Sequence, residues 1–335
     1  MFRLQPHLDD LYQGTRRQFA FDVEHATEMG SWQADFRAAL MDLLHLSGRD
    51  LPLAPAVQLL SAADKGRYIE EKYALEADEG VFIPMYLLVP KTPPPHRPIF
   101  ALHGHGPGVS TILGNHTDAA TAQARAANDD NFAQQLAQEG YFVCAIEQRG
   151  FGERITRQVG ESGNACRHLA FEYMMEGRSL LGERVRDAMI AISYLQNRHD
   201  LTSKLGCVGF SGGGTTALFL AALDERITTS VIGGYFCTYK RSILGVPHCE
   251  CNYVPGLLQL GEAGDIGALI APRPVRIISG EQDPIFPIEG VYEQYATLER
   301  AYAILDAEDK CSLAIHEEGH RYQHSLGVEW FAQWL

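Results

Sequence analysis

The sequence predicts an α/β fold built on a mostly parallel central sheet with helices covering both faces. Three observations carry that prediction. Short, continuously apolar runs at 99–102, 141–146, 229–233 and 275–279 alternate with helix-like segments, which is the pattern of strands buried on both faces. Several strand-like runs end in loops carrying histidine, serine or aspartate, where active groups of open parallel sheets gather. Residues 205–220 read as a buried strand turning sharply into a helix, with Gly209-Phe210-Ser211-Gly212-Gly213-Gly214 at the turn.

Taken in order, residues 1–65 look helical, most clearly over 32–46, where Phe36, Leu40, Leu43 and Leu44 recur at helical spacing. They are expected to form a cap or extension rather than a separate domain, with residues 66–335 as the catalytic domain. Residues 68–89 suggest two strands meeting at Glu76-Ala77-Asp78-Glu79-Gly80, a hairpin adding an antiparallel edge to the sheet. A proline-rich connector over 91–98 leads to the strand at 99–102 and the loop His103-Gly104-His105-Gly106. A long polar loop, a helix over 132–138, the strand at 141–146 and an amphipathic helix over 182–195 follow. Beyond the strand-turn-helix and the strand at 229–233, residues 235–261 form an irregular insertion containing His248-Cys249-Glu250-Cys251. The strand at 275–279, a helix over 288–305, a strand at 312–315 and a terminal helix complete the chain.

Composition narrows the function classes. At 335 residues the chain can bury roughly three quarters of its unfolded surface, so one large α/β unit is expected. The formal charge of −14 argues against nucleic acid and anionic membrane surfaces as partners. No stretch is apolar and long enough to span a bilayer, and the first residues lack an apolar signal core, so a cytoplasmic location is expected. The seven cysteines cannot all pair, and Cys144, Cys207 and Cys311 sit in apolar runs where cysteine behaves as a small hydrophobe. A homo-oligomer is compatible with the sequence.

Ser211 at the apex of the glycine-rich turn is the candidate nucleophile. A hydroxyl needs a base to take its proton, imidazole suits that task near neutral pH, and the imidazole needs a carboxylate to fix its tautomer. Asp283 follows the strand at 275–279, and His320 follows Gly319 beyond the last strand. Asp265, which resembles a helix N-cap, and Glu281 are reserve carboxylates; His316 is expected to end the last strand and His324 to open the final helix. The tetrahedral intermediate needs amide donors, which the backbone N–H groups of His105 and Gly212 can supply; His103 is expected only to hydrogen-bond locally.

His316-Glu317-Glu318-Gly319-His320 matches the H-E-x-x-H zinc signature, but that motif requires a helix. Here a strand-like run precedes it, Gly319 weakens a helix, and no third ligand lies at a suitable spacing. Cys249 and Cys251, one residue apart with His248, make a poor tetrahedral set. That loop is expected to line the pocket, with Tyr235 and Tyr253 as walls. No metal or other cofactor is expected.

With these residues placed, the chain from about residue 68 onward resembles the α/β-hydrolase superfamily, specifically dienelactone-hydrolase-like and acetyl-xylan-esterase-like bacterial esterases. The resemblance rests on the 103–106 loop, Arg149-Gly150-Phe151-Gly152, Gly209–Gly213, Ala271-Pro272-Arg273-Pro274, the run from Gly280 to Pro287 and Gly319-His320. The order Ser211, Asp283, His320 is the order that architecture requires. The resemblance implies hydrolysis of a small-molecule ester with a short acyl group. Dienelactone hydrolases proper carry cysteine where this chain has Ser211, which favours ordinary esters. The same triad would serve a peptidase or amidase, but prolyl-oligopeptidase-like enzymes usually add a propeller that 65 N-terminal residues cannot build. A non-catalytic binding module on this fold would typically have lost a triad member.

Overall fold

The computed structural model describes residues 3–22, 28–156 and 165–335. Part of the unassigned stretch before the 182–195 helix, and part of the N-terminal segment, lie outside the described residues.

Among the described residues nine strands form one sheet: β1 (Val57–Asp64), β2 (Tyr68–Asp78), β3 (Val81–Pro90), β4 (Pro98–Leu102), β5 (Phe142–Ile146), β6 (Gly206–Phe210), β7 (Thr229–Gly233), β8 (Val275–Gly280) and β9 (Cys311–His316). Their spatial order is β1-β2-β3-β5-β4-β6-β7-β8-β9. The first three strands and the β3–β5 pair are antiparallel, and the rest of the sheet is parallel. The helices are α1 (Leu4–Gly14), α2 (Met29–Leu43), α3 (Val109–Ile112), α4 (Ala119–Ala127), α5 (Phe132–Gln138) and α6 (Ala165–Met175). They continue with α7 (Leu180–Gln196), α8 (Gly212–Leu223), α9 (Leu257–Leu260), α10 (Ala263–Ala268), α11 (Ile288–Ile304) and α12 (His324–Trp334). Among the described residues no helix is long and apolar enough to cross a membrane.

The apolar strands are buried on both faces because alternate side chains enter different cores. Phe100, Leu102, Cys144, Ile146, Cys207 and Ile232 join the larger core. Their neighbours Ile99, Ala101, Val143, Ala145, Val208 and Val231 join the second, beneath α3, α5 and α12. The chain leaves β4 for β5 on one side and then returns across it to β6 on the other. Such a reversal opens a crevice beyond the carboxyl end of β4, where ligands of open α/β sheets bind.

Two expectations are corrected. The helical reading of residues 1–65 fails over Val57–Asp64, which is a strand paired with β2 and forms the sheet's edge outside the hairpin. Every residue of β1 is exposed and a bulge between Leu59 and Ser61 shifts its register, so the alternation that marks a half-buried strand is missing. The 182–195 segment is helical but not amphipathic, because nearly all of α7 is buried. Its charges are neutralised internally: Glu183 meets Arg49 at 2.6 Å and Arg149 at 3.1 Å, and Asp187 meets Arg149 at 2.8 Å and Arg154 at 2.6 Å.

The N-terminal segment is part of the core. Phe36 of α2 is fully buried and stacks on Phe19 at 4.7 Å, with Trp32 edge-on at 5.5 Å. Arg37 donates to the carbonyls of Ala222 and Leu269, both at 3.0 Å, tying α2 to the ends of α8 and α10. We expect Phe36→Ala to destabilise the whole protein by about 3–5 kcal/mol in urea unfolding, with one cooperative transition. A near-zero change would mean that the segment is a detachable appendage.

Candidate active site

β6 ends at Phe210 and α8 begins at Gly212, so Ser211 alone makes the turn, at φ 55° and ψ −121°. A side chain in that region costs roughly 1–3 kcal/mol and persists only where its surroundings enforce it. The Ser211 N–H donates to the Gly233 carbonyl and its own carbonyl accepts from the Thr215 N–H, both at 2.9 Å. A Cβ on Gly209 would collide with the Gly213 carbonyl, and one on Gly213 with the Leu102 carbonyl. Only glycine lets β4, β6 and α8 approach this closely.

The other expected side chains converge on this serine. His320 Nε2 lies 2.9 Å from Ser211 Oγ, and His320 Nδ1 lies 2.7 Å from Asp283 Oδ2. Asp283 is buried beyond the end of β8, and its Oδ1 accepts from the Ile285 N–H at 2.9 Å and the Phe286 N–H at 3.0 Å. With a carboxylate acceptor facing Nδ1, the ring proton belongs there and the Nε2 lone pair faces the hydroxyl. Phe210 and Phe286 flank the imidazole at 4.8 and 5.6 Å, which limits its tilt.

The two candidate oxyanion donors are adjacent. Gly212 opens α8, so its N–H belongs to the first turn, whose donors have no intrahelical partner. A Cβ at Gly212 would sit 3.5 Å from the His105 nitrogen, and one at Gly104 would sit 3.2 Å from Ser211 Cβ. Buried His103 anchors this loop. Its Nδ1 faces the Gly104 carbonyl at 2.8 Å, and its Nε2 accepts from the Gln148 N–H at 3.0 Å. The Gln148 amide donates to the His103 carbonyl at 2.6 Å and accepts from the Thr216 hydroxyl at 2.7 Å, joining the loop to α8.

Ser211 and His320 line a cleft of about 470 Å³ together with His105, Thr111, Ile112, Phe132 and Phe210 on one hand and Arg125, Asn128, Asp130, Glu318 and Arg321 on the other. Tyr235 and Tyr253, expected as its walls, do not line it. Tyr235 is buried beneath it against Phe286, and Tyr253 borders a separate cavity of about 350 Å³ with Tyr239 and Leu257. No residue of the 235–261 insertion, expected to line the pocket, borders this cleft; its walls come from the 318–321 loop and from the 104–132 segment, whose polar composition reads locally as a loop. Its ion pair Arg125–Asp130, at 3.0 Å, and the Arg321–Glu318 pair, at 2.7 Å, give the cleft a charged but balanced rim.

The reserve residues have other partners. Asp265 is not an N-cap but the fourth member of a capping box with Glu262, accepting from the Glu262 N–H and from the Phe21 N–H at 2.8 Å each. Burial raises its pKa. Glu281 is exposed. His316 ends β9 with Nε2 3.0 Å from the Arg321 carbonyl, and His324 opens α12 beside Glu139 at 3.0 Å. The H-E-x-x-H run is therefore a strand end and a loop. His248 packs on Phe286, whereas Cys249 and Cys251 turn towards Cys166 and His105, a grouping invisible in the local sequence.

Sheet order, strained serine turn and hydrogen-bonded side chains define an α/β-hydrolase fold. The chain belongs to the Abhydrolase family, whose model matches residues 7–325. It is 28% identical over 277 residues to YtaP of Bacillus subtilis (strain 168), an inferred hydrolase, covering 79% of this chain and 87% of that protein. Among solved structures it is similar to an inferred acetyl xylan esterase from Bacteroides fragilis NCTC 9343, with a TM-score of 0.83, 18% identity and 99% and 95% of the two chains covered. It is also similar to a glucuronoyl esterase from Solibacter usitatus, with a TM-score of 0.65, 16% identity and coverage of 90% and 92%.

The geometry separates two variants. Tyr253→Phe removes a hydroxyl that donates to the Ile243 carbonyl at 2.7 Å, and is expected to cost about 0.5–1.5 kcal/mol of stability while leaving covalent labelling of Ser211 by a fluorophosphonate unchanged. Gly213→Ala forces a methyl into the Leu102 carbonyl and is expected to abolish labelling, as read by intact-mass spectrometry.

Proposed function

We propose that this chain hydrolyses carboxylic esters with short acyl groups, acetyl esters foremost, through Ser211, His320 and Asp283. The observation that carries this reading is the unbroken line from Ser211 Oγ through both nitrogens of His320 to Asp283, at 2.9 and 2.7 Å, opening into the cleft. Ser211 Oγ attacks the ester carbonyl while its proton passes to His320 Nε2, and Asp283 balances the imidazolium charge. The carbonyl oxygen becomes an oxyanion held by the His105 and Gly212 N–H groups. Collapse breaks the C–O bond, and the proton on Nε2 leaves with the alcohol. Water then repeats the sequence on the acyl-serine and releases the acid. These steps call for no metal or organic cofactor.

The cleft supports the substrate class. Its volume suits a small molecule, and apolar Ile112, Phe132 and Phe210 stand opposite charged and amide groups. A long hydrocarbon would have to lie against the ion pairs, whereas a hydroxylated alcohol could exchange hydrogen bonds with them. The name of one similar structure, an inferred acetyl xylan esterase, points the same way.

Ester turnover by Ser211→Ala is expected to fall by at least about 10⁴-fold, and by Asp283→Asn by about 10⁴-fold, since the amide favours the wrong imidazole tautomer. 4-Nitrophenyl acetate should be hydrolysed with a higher kcat/KM than the octanoate. Wild-type turnover surviving intact in Ser211→Ala would overturn the mechanism. A preference for the octanoate would overturn the substrate class alone.

A further inference from the structure

Behind the oxyanion loop, three segments remote in sequence bring four metal-ligating atoms together. His105 Nε2 comes from the loop after β4, Cys166 Sγ from the start of α6, and the sulfurs of Cys249 and Cys251 from the insertion after β7; all lie within 4.8 Å of one another. His105 Nε2 is 3.2 Å from Cys251 Sγ and 3.9 Å from Cys166 Sγ, and the Cys166 and Cys249 sulfurs are 3.2 Å apart. Tetrahedral zinc with bonds of about 2.3 Å to sulfur and 2.0 Å to nitrogen sets ligand atoms roughly 3.5–3.8 Å apart, within the spread seen here. We propose that His105, Cys166, Cys249 and Cys251 form a structural site for one thiophilic divalent cation, zinc foremost.

The surroundings match the charge of such a site. Arg184 is buried, and its guanidinium donates to the Arg149 carbonyl at 2.7 Å and to Cys166 Sγ at 3.1 Å, with Phe151 stacked at 4.8 Å. A buried cation needs a compensating charge, and neutral thiols, a carbonyl and a ring supply none. Three thiolates with one divalent cation carry a net charge of about −1, which Arg184 neutralises. Binding releases the thiol protons to solvent and involves no change of oxidation state. Phe151 meets the His105 ring edge-on at 5.4 Å and helps hold it in place.

The ligand set is closed. Four protein ligands leave no position for substrate or hydroxide, so the metal's role is to clamp rather than to react. What it clamps is the His105 loop. The other side of the imidazole lies against Gly212, where a Cβ would meet Nδ1 at 2.6 Å. A metal on Nε2 places the ring proton on Nδ1 and fixes the backbone whose N–H faces the Ser211 site. The site stands on the sulfur and imidazole geometry alone; only its effect on turnover rests on the esterase reading.

The test uses the full chain, purified under reducing conditions from zinc-supplemented cells and measured by plasma mass spectrometry. About one zinc per chain is expected in wild type and in Ser211→Ala, falling at least about tenfold in the Cys249→Ser/Cys251→Ser double variant. Wild type stripped with a competing chelator is then titrated with Co²⁺. Thiolate-to-cobalt charge-transfer absorption saturating at one equivalent supports the site even if the double variant fails to fold. Absence of both zinc and a cobalt–thiolate spectrum overturns it, as does a Cys166–Cys249 disulfide in protein that has never bound metal. Stripping should also lower ester turnover, by up to about 10²-fold if the amide donor is lost, with recovery on adding zinc. Metal bound to a protein that turns over no ester would defeat the esterase reading alone; ester turnover without metal affinity would defeat the site alone.

Discussion

The backbone at Ser211 is held in a conformation that a serine rarely adopts, and much of the architecture can be traced to what holds it there. The turn exists because α8 is pressed against β4 and β6 so closely that Gly209 and Gly213 have no room for a Cβ. That pressure comes from α8 itself, every residue of which is buried between the sheet and the layer formed by α2, α7 and α10. Arg37 reaches from α2 to the far end of this helix, and Gln148 joins Thr216 near its start to the His103 loop. The strain is local, but the structure that opposes its release extends from the N-terminal segment to the loop bearing His103 and His105.

The placement of the imidazole depends on a second constraint, the parallel register of β8 and β9. Gly280 pairs with His316, so the two strands end level and their following loops lie side by side. The Glu281 N–H donates to the His316 carbonyl at 2.8 Å and the Gln282 N–H to the Glu318 carbonyl at 3.1 Å. A Cβ on Gly280 would strike the Gly319 carbonyl. The loop bearing His320 is thus laced to the loop bearing Asp283 before either side chain contributes. This is why the contact between His320 and Asp283 can be short without help from a long helix.

Features set by local burial were legible in the sequence. Strands such as 229–233 announce themselves because both faces enter a core, and the strand-turn-helix at Ser211 because its glycines are consecutive. Features set by distant chain were not. β1 hydrogen-bonds at the edge with no buried side chain, so it lacks the alternation that would mark it as a strand. Asp265 carries a local capping pattern with Glu262, but its second oxygen accepts from the Phe21 N–H, 244 residues away, which no local pattern shows. The walls of the cleft come from a polar segment that acquires meaning only when folded over β4. Of the four atoms grouped around His105 Nε2, the sequence displays only the Cys249-x-Cys251 pair; Cys166 and His105 arrive through the third dimension.

The charged face of α7 joins these features. In sequence, Glu183, Arg184, Arg186 and Asp187 mark a helix with a solvated side, yet they are buried, because arginines from four other positions close over the two carboxylates. Arg149 is the pivot. Its guanidinium is spent on Glu183 and Asp187, which raise its pKa against the opposing effect of burial, while its carbonyl accepts from Arg184. Arg184 then turns to Cys166, beside the ring of His105. A largely buried helix with paired charges is therefore linked, through Arg184 and Cys166, to the loop bearing His105. Replacing those charges with apolar residues could preserve the packing, since buried ion pairs are often matched by hydrophobic substitutes of similar volume. It would remove the polar connection that runs from α7 through Arg184 to the Arg149 carbonyl and Cys166.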